Sequence, residues 1–436
     1  MKVKIIGAGL AGSEAALQLA KRGIEVDLYE MRPVKMTGAH TTEKLAEFVC
    51  SNSMGSYDLS VASGLLKKEM ELLGSELIKI AFDVKVPAGN ALAIDREEFS
   101  KRVTELVEAN PLINLVREEV NEIPDGDVII ASGPLTSDSM AKSIQDFTQE
   151  EHLHFFDAVA PIVEKDSINF DKAFYGSRYD KGEASYINCP MNKEEYEKFY
   201  NILINAERIE LKEFEKNAKF FESCLPVEVL GSRGVDTLRF GPMKPVGLVD
   251  KRNNEINYAV VQLRQDNALK TLYNLVGFQT NLKWSFQKEL IHSIPGLENA
   301  NIVRYGVMHR NTFINSPKIL TNKLNTKKRD NLFFAGQITG VEGYTESMAS
   351  GLIAGINMAK HIKGEPMLEM PSECILGALL NYITDENHKQ LQPVNSNWAL
   401  INNIELPKKI RKDKKAKAEI LANRSLEALN GVLNNL

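Results

Sequence analysis

Cysteine is scarce in this chain. There are four in 436 residues, Cys50, Cys189, Cys224 and Cys374, widely separated and without a C-x-x-C pair. That spacing excludes a disulfide framework and a zinc cage, and no metal site is expected. A buried cysteine is ordinarily a small hydrophobe, and Cys189 and Cys374 are read that way. A cysteine with a special role here is a thiol that does chemistry. No apolar run approaches the roughly 18 residues of a membrane-crossing helix. The first residues form a short apolar strand and not a signal sequence, so the expectation is a cytoplasmic protein with no membrane partner. Internal repeats and low-complexity tracts are also missing. What remains is ordinary globular material, 43% hydrophobic and 25% charged, long enough for two domains or for one with a large insertion. The net charge of −5 conceals an asymmetry. Lys408 to Lys417 reads KKIRKDKKAK, seven basic residues and one acid, a local +6 that leaves −11 for the rest. Such a run is a solvated helix face or a patch for nucleic acid.

The strongest positive signal is at the start. Val3-Lys4-Ile5-Ile6 is a short apolar strand that enters Gly7-Ala8-Gly9-Leu10-Ala11-Gly12, and a helical pattern follows. In G-x-G-x-x-G the first glycine permits the tight turn and the second lets the backbone approach a pyrophosphate. The third lets the helix pack close to the strand. The helix N-terminus then offers free N–H groups and a positive dipole end to phosphate. A second apolar stretch, Glu25 to Glu30, ends in an acid 18 residues after Gly12, placed to accept hydrogen bonds from a ribose. The alternative is a glycine-rich turn that binds nothing.

Further along, residues 63 to 80 have helical periodicity, and Asp95 is a plausible N-cap for a helix to Ala109. Asp127 to Pro134 reads as a buried parallel strand ending in small residues. The region from about 160 to 310 has short β-like stretches and an acidic helix near Lys193 to Ala206. A nucleotide-fold pattern then returns. Asn331 to Gln337 is an apolar strand closing on Gly336, and a loop leads to a helix from Tyr344 to Lys363. Such a helix can aim its dipole at the pyrimidine edge of a reduced flavin. The pairing of the two segments favours FAD over NAD as the tightly bound cofactor. The expectation is an α/β protein with a glutathione-reductase-like, two-part FAD-binding Rossmann fold and a mixed α+β insertion domain. Its expected parts are 1–159 and 311–405 for the FAD-binding domain, 160–310 for the insertion and 406–436 for a basic helical tail.

Further stretches are too specific for composition to explain. They are Leu45 to Ser53 (LAEFVCSNS), Ser223 to Glu228 (SCLPVE), Leu238 to Leu248 (LRFGPMKPVGL), Tyr305 to Pro317 (YGVMHRNTFINSP) and Gly343 to Ser347 (GYTES). With the glycine motif they make the chain resemble the folate- and FAD-dependent tRNA (uracil-5-)-methyltransferases over nearly its whole length. The lysine-rich tail matches least well.

The resemblance implies that 5,10-methylenetetrahydrofolate donates a methyl carbon to C5 of the T-loop uridine at tRNA position 54. FAD then carries the carbon, and NADH or NADPH supplies electrons. No obligate protein partner is implied. The same chemistry on ribosomal RNA is the nearest alternative, and a flavin-binding redox protein without methyl transfer is the alternative from another class. C5 of uracil becomes nucleophilic when a thiolate adds to C6, and a second group must then remove the C5 proton. Cys224 and Cys50 lie inside the family-like motifs, so Cys224 is assigned as nucleophile and Cys50 as base, and the reverse stays open. The expected cofactor-binding residues are Gly7, Ala8, Gly9, Leu10, Ala11, Gly12, Glu30, Gly336, Gln337, Tyr344 and His309. Tyr344 is read as flavin-stacking or as packing, and His309 as a ring stacked on the folate pterin or as a structural histidine. Arg239 and Lys244 are candidates for a folate tail or RNA phosphate, or are plain surface charges.

Overall fold

The computed structural model describes residues 2–150, 153–158, 160–180, 183–209, 225–250, 257–306, 308–388, 391–401, 410 and 413–434, with the backbone alone for 153–158, 308–310 and 414. Cys224 and much of the basic run fall outside these ranges.

Strand β1 (Lys2–Ile6), helix α1 (Leu10–Lys21) and strand β2 (Glu25–Tyr29) form the opening unit. β1 is central in a five-stranded sheet whose order is Leu332–Phe334, Val128–Ile130, β1, β2, Ile113–Val116. Every pairing in it is parallel, with Val3 opposite Val26 and Ile5 opposite Leu28. A parallel sheet is covered on both faces, which is why its strands read as nearly unbroken apolar runs. Val3, Ile5, Val26, Leu28, Ile129 and Phe333 are all fully buried.

The helix Tyr344–Ile362 lies against α1. A Cβ added at Gly351 would stand 2.2 Å from the carbonyl oxygen of Ala11, and one at Gly355 would stand 2.8 Å from that of Ala15. Glycine on one helix and alanine on the other therefore let the two backbones touch. This crossing brings both helix N-termini to one cleft.

A second core is built on a six-stranded antiparallel sheet ordered Phe174–Gly176, Tyr186–Met191, Ala259–Gln265, Leu272–Leu275, Ile162–Glu164, Ile302–Arg304. The helices Lys193–Asn205, Val227–Ser232 and Trp284–His292 accompany it. The two apolar cores are distinct, one drawn from residues 3–144 and 313–432 and the other from 163–302. Leu153–Ala158 pairs antiparallel with Met308–Phe313 in a separate two-stranded ladder. The contacts that join the cores near the cleft are polar. Asp95 Oδ2 accepts the Ala268 N–H at 2.7 Å, and Asn52 Nδ2 donates to the Gln265 carbonyl at 2.8 Å.

Two sequence expectations are refined. The periodic stretch 63–80 is two helices, Ala62–Leu72 and Glu76–Asp83, broken at Gly74 with φ +82°. The second begins at a Ser75 cap that donates to buried Glu14 at 2.8 Å. The chain end is helical over Lys414–Leu433, but it is not a free arm. Leu421, Ala422, Leu429 and Val432 enter the first core. The Asp95 cap is as expected, with its carboxylate accepting from the N–H groups of Glu97 and Glu98.

Candidate active site

The cleft over the first βα turn encloses about 1020 Å³ that opens to solvent. Its floor includes Gly7, Gly9, Leu10 and Ala11, and its walls include Glu30, Gly133, Gly336, Gln337 and Tyr344. The three motif glycines do three different things here. Gly7 has φ +99°, where other residues are strained, and a Cβ there would meet the Ala131 carbonyl at 2.6 Å. A Cβ at Gly12 would fall 1.8 Å from the Gly7 carbonyl oxygen. One at Gly9 meets no protein atom within 4 Å. Gly7 and Gly12 thus serve the turn itself, while Gly9 borders open space in the cleft. α1 has no side-chain cap at its N-terminus, so its first N–H groups are not claimed by a capping side chain.

Glu30 stands at the C-terminal end of β2, with Oε2 accepting the Ala8 N–H at 3.1 Å. Its Oε1 accepts from Arg32 twice, from the backbone at 3.1 Å and from Nε at 2.9 Å. Burial pushes its pKa up, but the Arg32 guanidinium and the two backbone N–H groups outweigh that and hold the carboxyl below its ordinary value. It is therefore a charged acceptor with its orientation fixed. Arg32 bridges onward to Glu47 at 3.0 Å, and both residues line the cleft. This Glu30–Arg32–Glu47 chain is not visible in the motif, because Arg32 and Glu47 lie in an irregular loop without periodicity.

Gly336 (φ +85°) ends the Leu332–Phe334 strand, and Gln337 Nε2 donates to both carboxylate oxygens of Glu342 at 2.9 and 3.0 Å. Tyr344 opens the helix that packs on α1. Its ring lies 4.1 Å from that of Phe48, centroid to centroid, and its phenolic oxygen accepts the Cys50 N–H at 2.7 Å. The strap from Phe48 to Asn52 is further held by Arg304, whose Nη2 donates to the Val49 carbonyl at 2.8 Å. Cys50 is partly exposed and in no disulfide.

Of the expected site residues, Gly7, Gly9, Leu10, Ala11, Glu30, Gly336, Gln337 and Tyr344 converge on this cleft. Ala8 joins them through its N–H and Gly12 through the turn, while Cys50 is tied to Tyr344 at its edge. Cys189 and Cys374 are buried in the two cores, and burial pushes their thiols up, Cys374 to about 12. Cys224 lies outside the described residues. Its neighbour Leu225 is buried, and Pro226 caps the helix Val227–Ser232. His309 is described by its backbone alone, opposite Asp157. The same strand passes the cleft wall, where the Thr312 N–H donates to the Pro134 carbonyl at 2.9 Å. Arg239 sits over the Tyr258 ring at 3.5 Å and pairs with Asp236 at 2.6 Å, on the second core. The sequence gives no site role to Arg96, Arg264, Asp266 or Arg304, which surround the Cys50 strap, although Arg264 and Asp266 lie in a stretch, Gln262 to Asn267, that shares the family resemblance.

The model of the family described as "Glucose inhibited division protein A" matches residues 2–366. The methylenetetrahydrofolate--tRNA-(uracil-5-)-methyltransferase TrmFO of Bacillus cytotoxicus is 57% identical over 432 residues, 99% of each chain. The protein of the same name from Anoxybacillus flavithermus is 57% identical over 436 residues, 100% of each. Among solved structures, Aquifex aeolicus GidA in its form II crystal superposes with a TM-score of 0.70 at 16% identity, covering 99% of this chain and 74% of that one. That likeness is one of fold. Among the described residues no helix is long and apolar enough to cross a membrane.

Proposed function

We propose, on the premise that this chain belongs to the glucose inhibited division protein A family and to the methylenetetrahydrofolate--tRNA-(uracil-5-)-methyltransferases within it, that it forms 5-methyluridine at the T-loop position 54 of tRNA. The one-carbon donor is 5,10-methylenetetrahydrofolate. FAD, reduced by NADH or NADPH, would occupy the cleft, carrying the carbon and supplying the reducing electrons. The observation that supports FAD is the open space beyond Gly9 facing an ionised, oriented Glu30. A pyrophosphate fits over the α1 N-terminus, and a ribose fits within reach of the Glu30 carboxylate.

The residues then divide the work. Tyr344 and Arg304 fix the backbone of the Cys50 strap beside the cleft. Cys224, in the segment leading to Pro226, adds to C6 of the target uracil, and the resulting enolate makes C5 nucleophilic. Cys50 takes the C5 proton after the carbon is attached; the bond from that carbon to its carrier would then break, a hydride from the reduced cofactor would complete the methyl group, and the C6–S bond breaks as the C5–C6 double bond re-forms, releasing Cys224 as its thiolate. The uridine is stacked in the folded T-loop, so the enzyme must extrude it, at about a few kcal/mol. The FAD-binding domain is read as 1–159 and 311–405, with the insertion 160–310 carrying Cys224.

The deciding experiment incubates the protein with 5,10-methylenetetrahydrofolate, NADH or NADPH, and unmodified tRNA or rRNA in separate arms. Label from the folate in 5-methyluridine of tRNA supports the reading. Label in rRNA alone moves the substrate, and flavin reduction without label in either RNA leaves a redox protein. With 5-fluorouridine in the RNA the wild type should trap a covalent complex and Cys224→Ala should not, because fluorine cannot leave as a proton does.

A further inference from the structure

The strap that carries Cys50 is bracketed by three arginines from three different elements. Arg96, from the helix Arg96–Glu108, reaches the Phe48 carbonyl with Nη1 at 3.4 Å. Arg304, from the strand Ile302–Arg304, reaches the Val49 carbonyl. Arg264, from the strand Ala259–Gln265, donates through Nε to Asn52 Oδ1 at 3.0 Å. Cys50 is the middle residue of the segment these contacts define. It interacts electrostatically with both Arg96 and Arg264.

The charges do not cancel. Among the described residues, this cluster has one ion pair, between Arg96 and Asp266. The remaining lone pairs of the network belong to amides. Asn274 Nδ2 donates to Asp266 Oδ1 at 3.1 Å and to Asn52 Oδ1 at 3.2 Å. Asn52 Nδ2 is used by the carbonyls of Ile94 and Gln265. Burial pulls Arg264 below its ordinary value, partly offset by Tyr186 and Asp266, and burial with repulsion from Arg96 does the same to Arg304. Arginine cannot answer by losing its proton in a protein. The excess therefore stays as positive potential at the strap. Among the described residues, the other ionisable groups that interact with these arginines are Tyr344, Tyr186 and Glu47, which is already bridged to Arg32 and has His40 beside it.

We propose that Arg264 and Arg96 act as positioning residues that hold Cys50 as its thiolate at neutral pH, with Asp266 setting how much of their charge reaches the sulfur. A nearby cation favours the charged form of a thiol and also makes it reactive at lower pH. This deepens the proposed function, because a base that accepts the C5 proton must start deprotonated. Arg264 and Asp266 sit on the second core and Cys50 on the first. Arg96 stays with Cys50 on the first core, so docking of the second core adds the Arg264 charge and, through Asp266, moderates that of Arg96.

The test is the pH dependence of Cys50 alkylation by iodoacetamide in the full-length holoenzyme, read peptide by peptide by mass spectrometry. An unperturbed thiol has its midpoint at about 8.5. The wild type should show a midpoint at or below about 7, within the range of cation-activated cysteines. Arg264→Gln should raise it by about one unit, roughly a tenfold loss of alkylation rate at pH 6.5. Arg264→Lys, which keeps the charge, should restore most of the shift. Asp266→Asn should move the midpoint the other way, downward. Buried Cys189 and Cys374 report folding, and they stay unmodified while each variant is native. Should Arg264→Gln unfold, Asp266→Asn still decides by the sign of its shift. A wild-type midpoint near 8.5, or midpoints unmoved in native Arg264→Gln or in Asp266→Asn, would overturn the proposal. The assay needs neither RNA nor folate, so a failed methylation assay and a failed thiolate assay remain separate results.

Discussion

The phenolic oxygen of Tyr344 accepts the backbone N–H of Cys50 at 2.7 Å, a contact between residues 294 apart in sequence. It ties the first residue of the second nucleotide-fold helix to the thiol-bearing strap of the first segment. The ring also packs on Phe48, so one side chain has two separable roles. Tyr344→Phe keeps the ring and removes the acceptor. Leaving a partly buried N–H unsatisfied costs about 1–3 kcal/mol. We expect flavin content to be unchanged and 5-methyluridine formation to fall by about tenfold, whereas Tyr344→Ala should also lower flavin affinity. Wild-type methylation by Tyr344→Phe would show that the hydrogen bond does not position Cys50.

The glycine motif gives two variants with opposite signatures. Gly9→Val places its side chain in open space on the protein side, so the fold should survive with a Tm close to wild type. The purified protein should be colourless, because the side chain occupies the pyrophosphate position. Gly12→Ala puts a methyl carbon 1.8 Å from a backbone carbonyl oxygen. It should lower stability by several kcal/mol or abolish folding, with flavin lost as a consequence. Absorbance at the flavin bands together with thermal denaturation distinguishes the two. A yellow Gly9→Val protein would remove the cofactor from that turn.

The features readable from sequence are those whose partners are near in sequence or repeat with a period. The strand–turn–helix at Gly7–Gly12, Glu30 at the end of β2, and the Asp95 cap are of this kind. The Leu332–Phe334 strand was legible because it is a short apolar run closing on glycine. The network around Cys50 was not, because Arg96 finds Asp266 170 residues away and Asn52 finds Asn274 222 residues away. Nothing periodic marks a polar contact between two cores. The basic run is the opposite case. A charge count singles out Lys408 to Lys417 but cannot show that the helix continuing from it buries Leu421 and Leu429.

Glu69 predicts a pH dependence unrelated to the cleft. Its carboxylate, fully buried, accepts the N–H groups of Ile375 and Leu376 at 2.8 Å each and the Ser425 hydroxyl at 2.6 Å. It thereby pins the helices Ile375–Thr384 and Lys414–Leu433 to Ala62–Leu72. Burial raises its pKa from 4.5 to about 7 against those donors. The folded state therefore holds a proton that the unfolded state has released between pH 4.5 and 7. Stability falls as pH rises through that window. In Glu69→Gln this contribution vanishes, so the difference in unfolding free energy between pH 5 and pH 7 should shrink by about 2 kcal/mol. Denaturant titrations of both proteins at the two pH values check it, and equal pH slopes would refute it.

The basic run at Lys408–Lys417 is a candidate for holding RNA. An acidic protein that binds RNA must concentrate positive charge somewhere, and this run has a local +6 on a chain of −5. Its described end begins the helix at Lys414, capped by Asp413 through the N–H groups of Lys415 and Ala416. That helix is anchored by Leu421 and Leu429 in the first core. Lys415 is exposed and lies within electrostatic reach of Asp58. Phosphate contacts release counterions, so RNA affinity should fall steeply with salt. Neutralising Lys412, Lys414 and Lys415 to Gln should weaken tRNA binding and flatten the plot of log affinity against log salt. The slope should change by up to about 0.7–0.9 for each phosphate that a lysine no longer neutralises. Flavin content and flavin reduction by NADH should not change, because the tested role of the run is in RNA binding alone. Unchanged affinity and slope would make the run a solvated helix face. The phosphate-binding residues would then be sought at Arg233, Arg239 and Lys244 on the second core.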